Sequence, residues 1–222
     1  MTKKSKKPQS SKISPAITHF PTPMIKGKEP ISDEKKIEFI ADRFKEIMEV
    51  LGLDLTNDSL AKTPARVAKM FVKEVFSGLD EKNFPNILFF EENFHAAHDA
   101  SIIMTKVGFT SFCEHHFVPM SGFVYVAYVP NHKIIGISKL PRLVRYFANR
   151  PQLQERLTAQ IADSLAILLE SEDVAVSITA NHQCVIARGV QDENNHTTTY
   201  VLRGQFQTNE GIRQEFFEAL RN

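Results

Sequence analysis

The sequence predicts an α+β domain: an antiparallel sheet of two strand pairs with helices on one face, preceded by an N-terminal helical layer. Three observations predict it. Residues 101–112 (SIIMTKVGFTSF) and 117–129 (FVPMSGFVYVAYV) are rich in the β-branched and aromatic side chains that suit pleated strands. A long helical segment begins near Ser138. A second β-rich pair follows it, VAVSITA at 174–180 and TTTYVLRGQF at 197–206. With 222 residues, 42% of them hydrophobic, the chain can bury one substantial core, so one main domain is expected.

Residues 1–31 are predicted to be a flexible basic tail. Lys3, Lys4, Lys6, Lys7, Lys12, Lys26 and Lys28 face a single acid, Glu29, and Pro8, Pro15, Pro21, Pro23 and Pro30 interrupt regular structure. Such a segment buries too little apolar surface to offset the entropy of ordering it. Residues 32–95 form the N-terminal helical region. Ser32 is a helix start, Ile37, Phe39, Ile40, Phe44, Ile47, Met48 and Leu51 recur at helical spacing, and Gly52 is the stop. A second helix starts near Asp58 or Thr63 with Pro64 in its first turn, and carries Val67, Met70, Phe71 and Val75 before Gly78.

Residues 96–222 hold the sheet. The helical segment from Ser138 to Glu170 is expected to break or restart at Pro151, whose ring removes a helix donor. Arg145 and Arg150 fit the solvated face of an amphipathic helix. After 174–180 comes a short HQC connection, and from Asn209 a closing helix presents Ile212, Phe216, Phe217 and Leu220.

The charge balance excludes a basic nucleic-acid-binding domain. The whole chain has 27 Lys and Arg against 26 Asp and Glu, but the first 32 residues hold seven of those bases and one acid. The remainder is therefore mildly acidic. The basic N-terminus lacks the apolar stretch of a secretory signal, and no run approaches the roughly 20 apolar residues that span a bilayer. Two cysteines in a chain this long make no disulfide framework, so the cytoplasm is the expected compartment.

The stretch SFCEHHFVPM, 111–120, falls where one strand gives way to the next. Cys113 and His116 form a C-x-x-H pair, a spacing that lets two ligands on a tight turn converge on one ion. The other cysteine, Cys184, lies in a suspected connection beside His182. If the strand pairs are neighbours in one sheet, the two connections meet at one edge. Two thiolates and one imidazole would leave a zinc position open, with water's pKa lowered to about 7. Two inert buried thiols, or a disulfide between them, are the other readings of the same residues. His115 and His182 flank the proposed ligands without needing to bind, which favours the metal, and imidazole is suited to proton transfer there.

Several motifs in order carry a resemblance: DSLAKTPARVAKMF (58–71), FSGLD (76–80), CEHHF (113–117), IGISKLPRLV (135–144), RPQLQERLT (150–158), HQCVIARGV (182–190) and TTT (197–199). Together they resemble GTP cyclohydrolase I from about residue 33 to the end. The resemblance implies a T-fold for residues 96–222, assembled as a homodecamer of two pentamers with active sites between subunits. It implies zinc as cofactor and GTP as substrate, hydrolysed at C8 with loss of formate and rearranged to 7,8-dihydroneopterin triphosphate, the first step toward tetrahydrofolate or biopterin.

By the same resemblance the zinc ligands are Cys113, His116 and Cys184. His115 is the proton donor to the purine ring, His182 a second acid/base group, and Ser138 a helper in the sugar steps. Glu155 reads guanine, with Gln154 alongside. Ser138, Lys139, Arg142 and Arg188 take the triphosphate, and Arg66 and Lys69 reach it from a neighbouring subunit. Ala65 stands where familiar members carry a bulkier polar residue, and the tail matches nothing and is implied to be dispensable for catalysis. A zinc nucleobase deaminase is a rival, but it needs H-x-E and then P-C-x-x-C, and here a single cysteine follows. A T-fold module that binds a pterin or purine without turnover is the other. The retained ligands and both histidines argue against it.

Overall fold

The computed structural model describes residues 18–27, 29–91 and 102–221. Residues 1–17 of the expected tail, and the boundary expected at 95, lie outside them. Helix α1 (Asp33–Val50) opens on Ser32, whose hydroxyl accepts from the Lys35 N–H at 3.4 Å. It stops before Gly52, which adopts φ +78°, a conformation glycine reaches without steric cost. Helix α2 (Thr63–Met70) has Pro64 in its first turn and runs on into a π-helical turn, Phe71–Val75. Gly78 then passes so close to the next layer that a Cβ there would lie 2.0 Å from the Tyr146 carbonyl oxygen.

The main sheet uses β2 (Ile103–Cys113), β3 (Pro119–Tyr128), β5 (Pro151–Gln152), β6 (Val174–His182) and β7 (Thr197–Leu202), in the order β5-β2-β3-β6-β7. All its pairings are antiparallel except the two-residue β2–β5 contact. A small second sheet pairs β1 (Phe89–Glu91) with β4 (Lys133–Ile135). The expected break at Pro151 takes the form of β5, between α3 (Leu140–Ala148) and α4 (Gln154–Leu169). The HQC connection includes a helical turn, α5 (Gln183–Ile186).

The core lies between the sheet and α3 and α4. Val107, Phe109, Val124, Val126, Val176 and Ile178 point from alternate strand positions onto Leu143, Phe147, Leu157, Ile161 and Leu165. Each large side chain buried there contributes about 1.5–3 kcal/mol of transfer free energy. These two helices sit on one face of the sheet, the α+β arrangement expected. Helices α6 (Gln205–Thr208) and α7 (Glu210–Ala219) add Phe206 and Phe216 to a smaller cluster with Ala127 and Ala175, residues of the opposite strand parity.

Two readings change. Arg150 is not on a solvated face: it is 7% exposed, with its guanidinium over the rings of Tyr146 and Phe147. The chain turns into β5 at this point, so the helical periodicity that would expose Arg150 ends before it. Part of the segment read as tail is docked as well. The His19 backbone N–H donates to Asp163 on α4 at 2.7 Å, and its ring nitrogen lies 3.1 Å from the same carboxylate.

Asp163 is buried, which by itself would raise its carboxyl pKa. The hydrogen bonds from Arg203 and His19 outweigh that and hold it below the usual range. Its folded value therefore lies below its unfolded one. The stability it contributes is complete above about pH 4 and is lost as pH falls through the folded value. Asp163→Asn is expected to cost roughly 1–3 kcal/mol at pH 7 and to flatten the acid limb of the urea-unfolding profile. Parallel acid limbs for the two proteins would contradict this.

Candidate metal centre and nucleotide pocket

The site forms because β3 lies between β2 and β6. Phe112 pairs with Pro119 and Met120 with His182, so the end of β2 and the end of β6 reach the same sheet edge. Cys113 ends β2 and Cys184 sits in α5, directly after β6. Between β2 and β3 the turn is closed by Cys113 N–H to Val118 O at 2.9 Å and Phe117 N–H to Cys113 O at 2.9 Å. Phe117 takes φ +54°, a strained value for an aromatic residue. Its ring is met edge-on by Phe71 and Phe76, which brace the turn from the N-terminal layer.

The ligand atoms of Cys113, His116 and Cys184 all lie within 4.8 Å of one another. Cys113 Sγ is 3.9 Å from His116 Nδ1 and 3.8 Å from His115 Nδ1. A tetrahedron with Zn–S about 2.3 Å and Zn–N about 2.0 Å has edges of about 3.5–3.8 Å, and the 3.9 Å between Cys113 Sγ and His116 Nδ1 is close to that. Both cysteines are free thiols. Burial pushes the Cys184 thiol up, and the Cys113 sulfur beside it pushes it further. Two sulfurs placed so that they resist joint ionisation are what a shared cation would relieve.

Around the cluster, two histidines are held differently. His115 is exposed on the turn. His182 is half-buried, and its Nε2 is 2.7 Å from Gln154 Oε1. The Gln154 amide nitrogen faces the carbonyls of Ile178 and Thr197 at 3.0 and 2.9 Å, which fixes its oxygen toward His182. His182 Nε2 therefore donates and Nδ1 is the accepting nitrogen. Burial lowers the His182 pKa, opposed by the charge of Glu155. Arg188 Nη1 is 2.9 Å from His116 Nε2, so a guanidinium stands beside the His116 ring.

Glu155 is exposed at the first turn of α4, while its neighbour Gln154 is 2% exposed. Gln154 is thus committed to His182 and the sheet. Ser138 and Arg142 are exposed and Lys139 half-buried at the start of α3, and no hydrogen bond among the described residues joins them to the cluster. Arg66 and Lys69 are exposed on α2, whose continuation meets the metal turn through Phe71. A cavity of about 750 Å³ opens along β2 between Thr110, Ser121 and Asn181 on one side and Arg145 of α3 and Asn149 just after it on the other. None of Cys113, His115, His116, His182 and Cys184 lines it.

Sequence reasoning missed Glu114 and Arg156. Arg156, with 5% of its side chain exposed, forms a bidentate ion pair with Glu114, the residue between the first thiol and His115. Arg156, Gln160 and Asp163 recur at helical spacing on α4, a polar stripe that was readable as a second functional face.

The family model of GTP cyclohydrolase I matches residues 40–221. The chain belongs to the GTP cyclohydrolase I family. It is an enzyme of that class. Its curated relatives named GTP cyclohydrolase 1 include proteins of Vibrio vulnificus (50% identical over 200 residues, 90% of each chain), Photobacterium profundum (51% over 191 residues, 86% of this chain and 87% of the relative) and Aeromonas salmonicida (48% over 200 residues, 90% of each).

The His182 tautomer is open to measurement. In long-range nitrogen–proton NMR spectra the Nε2–H form is expected to dominate, and Gln154→Leu is expected to populate both tautomers. An unchanged spectrum would show that Gln154 does not set it.

Proposed function

We propose that the chain is a zinc-dependent GTP cyclohydrolase I that opens guanine at C8, releases formate and rearranges the ribose to give 7,8-dihydroneopterin triphosphate, at the entry to tetrahydrofolate and related pterins. The single observation that supports this best is the convergence of Cys113, His116 and Cys184, with two more imidazoles beside them. Three ligands rather than four suit a site that keeps one position for chemistry. A zinc held there supplies Lewis acidity and lowers the pKa of water toward neutrality.

The chain's own residues supply recognition and proton transfer. Glu155 accepts from both the ring N–H and the exocyclic amine of guanine, and adenine would leave that carboxylate unsatisfied. His115 protonates the imidazole nitrogen of the purine ring. His182, kept neutral by burial and presenting Nδ1 as acceptor, handles later proton transfers. Ser138, Lys139 and Arg142 offer hydroxyl, charge and the start of α3 to the triphosphate, with Arg188 adding a fork for phosphate oxygens. Ser138 also assists the sugar steps. Gln154 serves by orienting His182 in place of direct contact with the base.

Arg66 and Lys69 reach the triphosphate from a neighbouring subunit in a homodecamer of two pentamers. The exposure of His115, His116, Glu155 and Arg188 in the single chain supports a site that a second subunit completes. The free thiols fit a reducing cytoplasm. No helix among the described residues is long and apolar enough to cross a membrane.

Incubation with GTP is expected to yield pterin fluorescence and formate together. Cys184→Ser should lose zinc, formate and fluorescence at once. His115→Ala should keep zinc and GTP binding while turnover falls by about 10²–10⁴-fold. A Cys184→Ser protein that retained its zinc and released formate would overturn the ligand assignment.

A further inference from the structure

The segment 19–22 crosses α4, and two separate paths lead from it to Glu114. The first runs through side chains. The Phe20 ring covers the Arg156 guanidinium at 5.0 Å from its centroid, and Arg156 grips the Glu114 carboxylate with both terminal nitrogens, one of them at 3.3 Å. Arg156 Nε is buried with no hydrogen-bond partner among the described residues, so the carboxylate fork and the ring face hold this cation.

The second path runs through amides. Gln160 Nε2 donates to the Phe20 carbonyl at 2.9 Å, and Gln160 Oε1 accepts from Gln152 Nε2 at 2.9 Å. The Gln152 carbonyl then accepts from the Glu114 backbone N–H at 3.0 Å. Thr22 Oγ1 accepts from Arg150 at 3.1 Å, and His19 is pinned on Asp163. Glu114 is thus fixed by side chain and backbone at once, inside the turn that carries Cys113, His115 and His116.

We propose that residues 19–22 are a strap that positions the metal-binding turn. The proposal rests on the metal reading above and deepens it, giving a task to a segment that matches none of the family motifs. Phe20, Arg156 and Glu114 are positioning residues. A loosened strap frees the Arg156 fork, lets Glu114 turn, and widens the set of conformations open to the Cys113–His116 turn, so the bound ion leaves faster. Phe20 is 43% exposed, so removing its ring loosens the strap without opening the core.

The test uses full-length, zinc-loaded protein and its Phe20→Ala, Phe20→Tyr and Thr22→Val variants. Zinc release to a chromogenic chelator is timed, and amide exchange at Glu114 is followed in the metal-free proteins. Phe20→Ala is expected to release zinc about tenfold faster, the low end of losses at groups that support metal ligands. Exchange at Glu114 should quicken with it, while protection in α4 and β6 is unchanged. Phe20→Tyr, which keeps the ring face, should restore the parent's rate, and Thr22→Val should fall between. Parent-like release and exchange in both Phe20→Ala and Thr22→Val would overturn the strap. So would a Phe20→Tyr protein as leaky as Phe20→Ala. A parent chain that binds no zinc would overturn the metal reading, and the strap with it.

Discussion

The antiparallel pairing of β3 with β6 is the constraint on which the rest depends. It joins the two sequence-distant strand pairs into one sheet, with Met120 opposite His182 as the last pair of the register. Because side chains alternate along a strand, a slip of β6 by one residue against β3 would turn Val176 and Ile178 out of the core. The same slip would carry His182 and Cys184 away from the turn after β2. Core and site are therefore specified by one register, and the hydrophobic pattern that fixes the fold also brings Cys113, His116 and Cys184 together.

Helix α4 carries two functions on one element. Its apolar residues Leu157, Ile161 and Leu165 fill the core, while Gln154 in the first turn reaches under the sheet to orient His182. A third stripe, Arg156, Gln160 and Asp163, faces the N-terminal segment and is buried by it. Buried polar groups are stable only when their partners are present. That explains why this stripe and the residues covering it come as a set, and why the metal turn, tied to Arg156, belongs to the set.

Much of this was legible in the sequence. The strand pairs showed in β-branched runs, α1 in its spacing and its Ser32 start, and the candidate metal cluster in C-x-x-H plus a lone distant cysteine. What was not legible involves partners far apart in the chain. Arg150 sits next to a proline in a basic, amphipathic stretch, and nothing local tells that it stacks on Tyr146 and Phe147. Glu114 and Arg156 are 42 residues apart, and the segment 19–22 is bound by residues about 140 positions later. Lysine and proline content describes how such a segment behaves alone, whereas docking depends on hydrogen-bond partners that only the folded helix presents. Gln154 was placed beside the substrate because it adjoins Glu155 in the motif RPQLQER. The helix turns about 100° per residue, which is enough to send adjacent side chains to different surroundings.

X-ray absorption at the zinc edge on the active protein tests the central claim most directly. One zinc per chain, with two sulfurs at about 2.3 Å, one imidazole nitrogen at about 2.0 Å and one light-atom ligand, is the expected result. Full activity in protein whose Cys113 and Cys184 are joined to each other, or whose zinc has no sulfur neighbours, would contradict it.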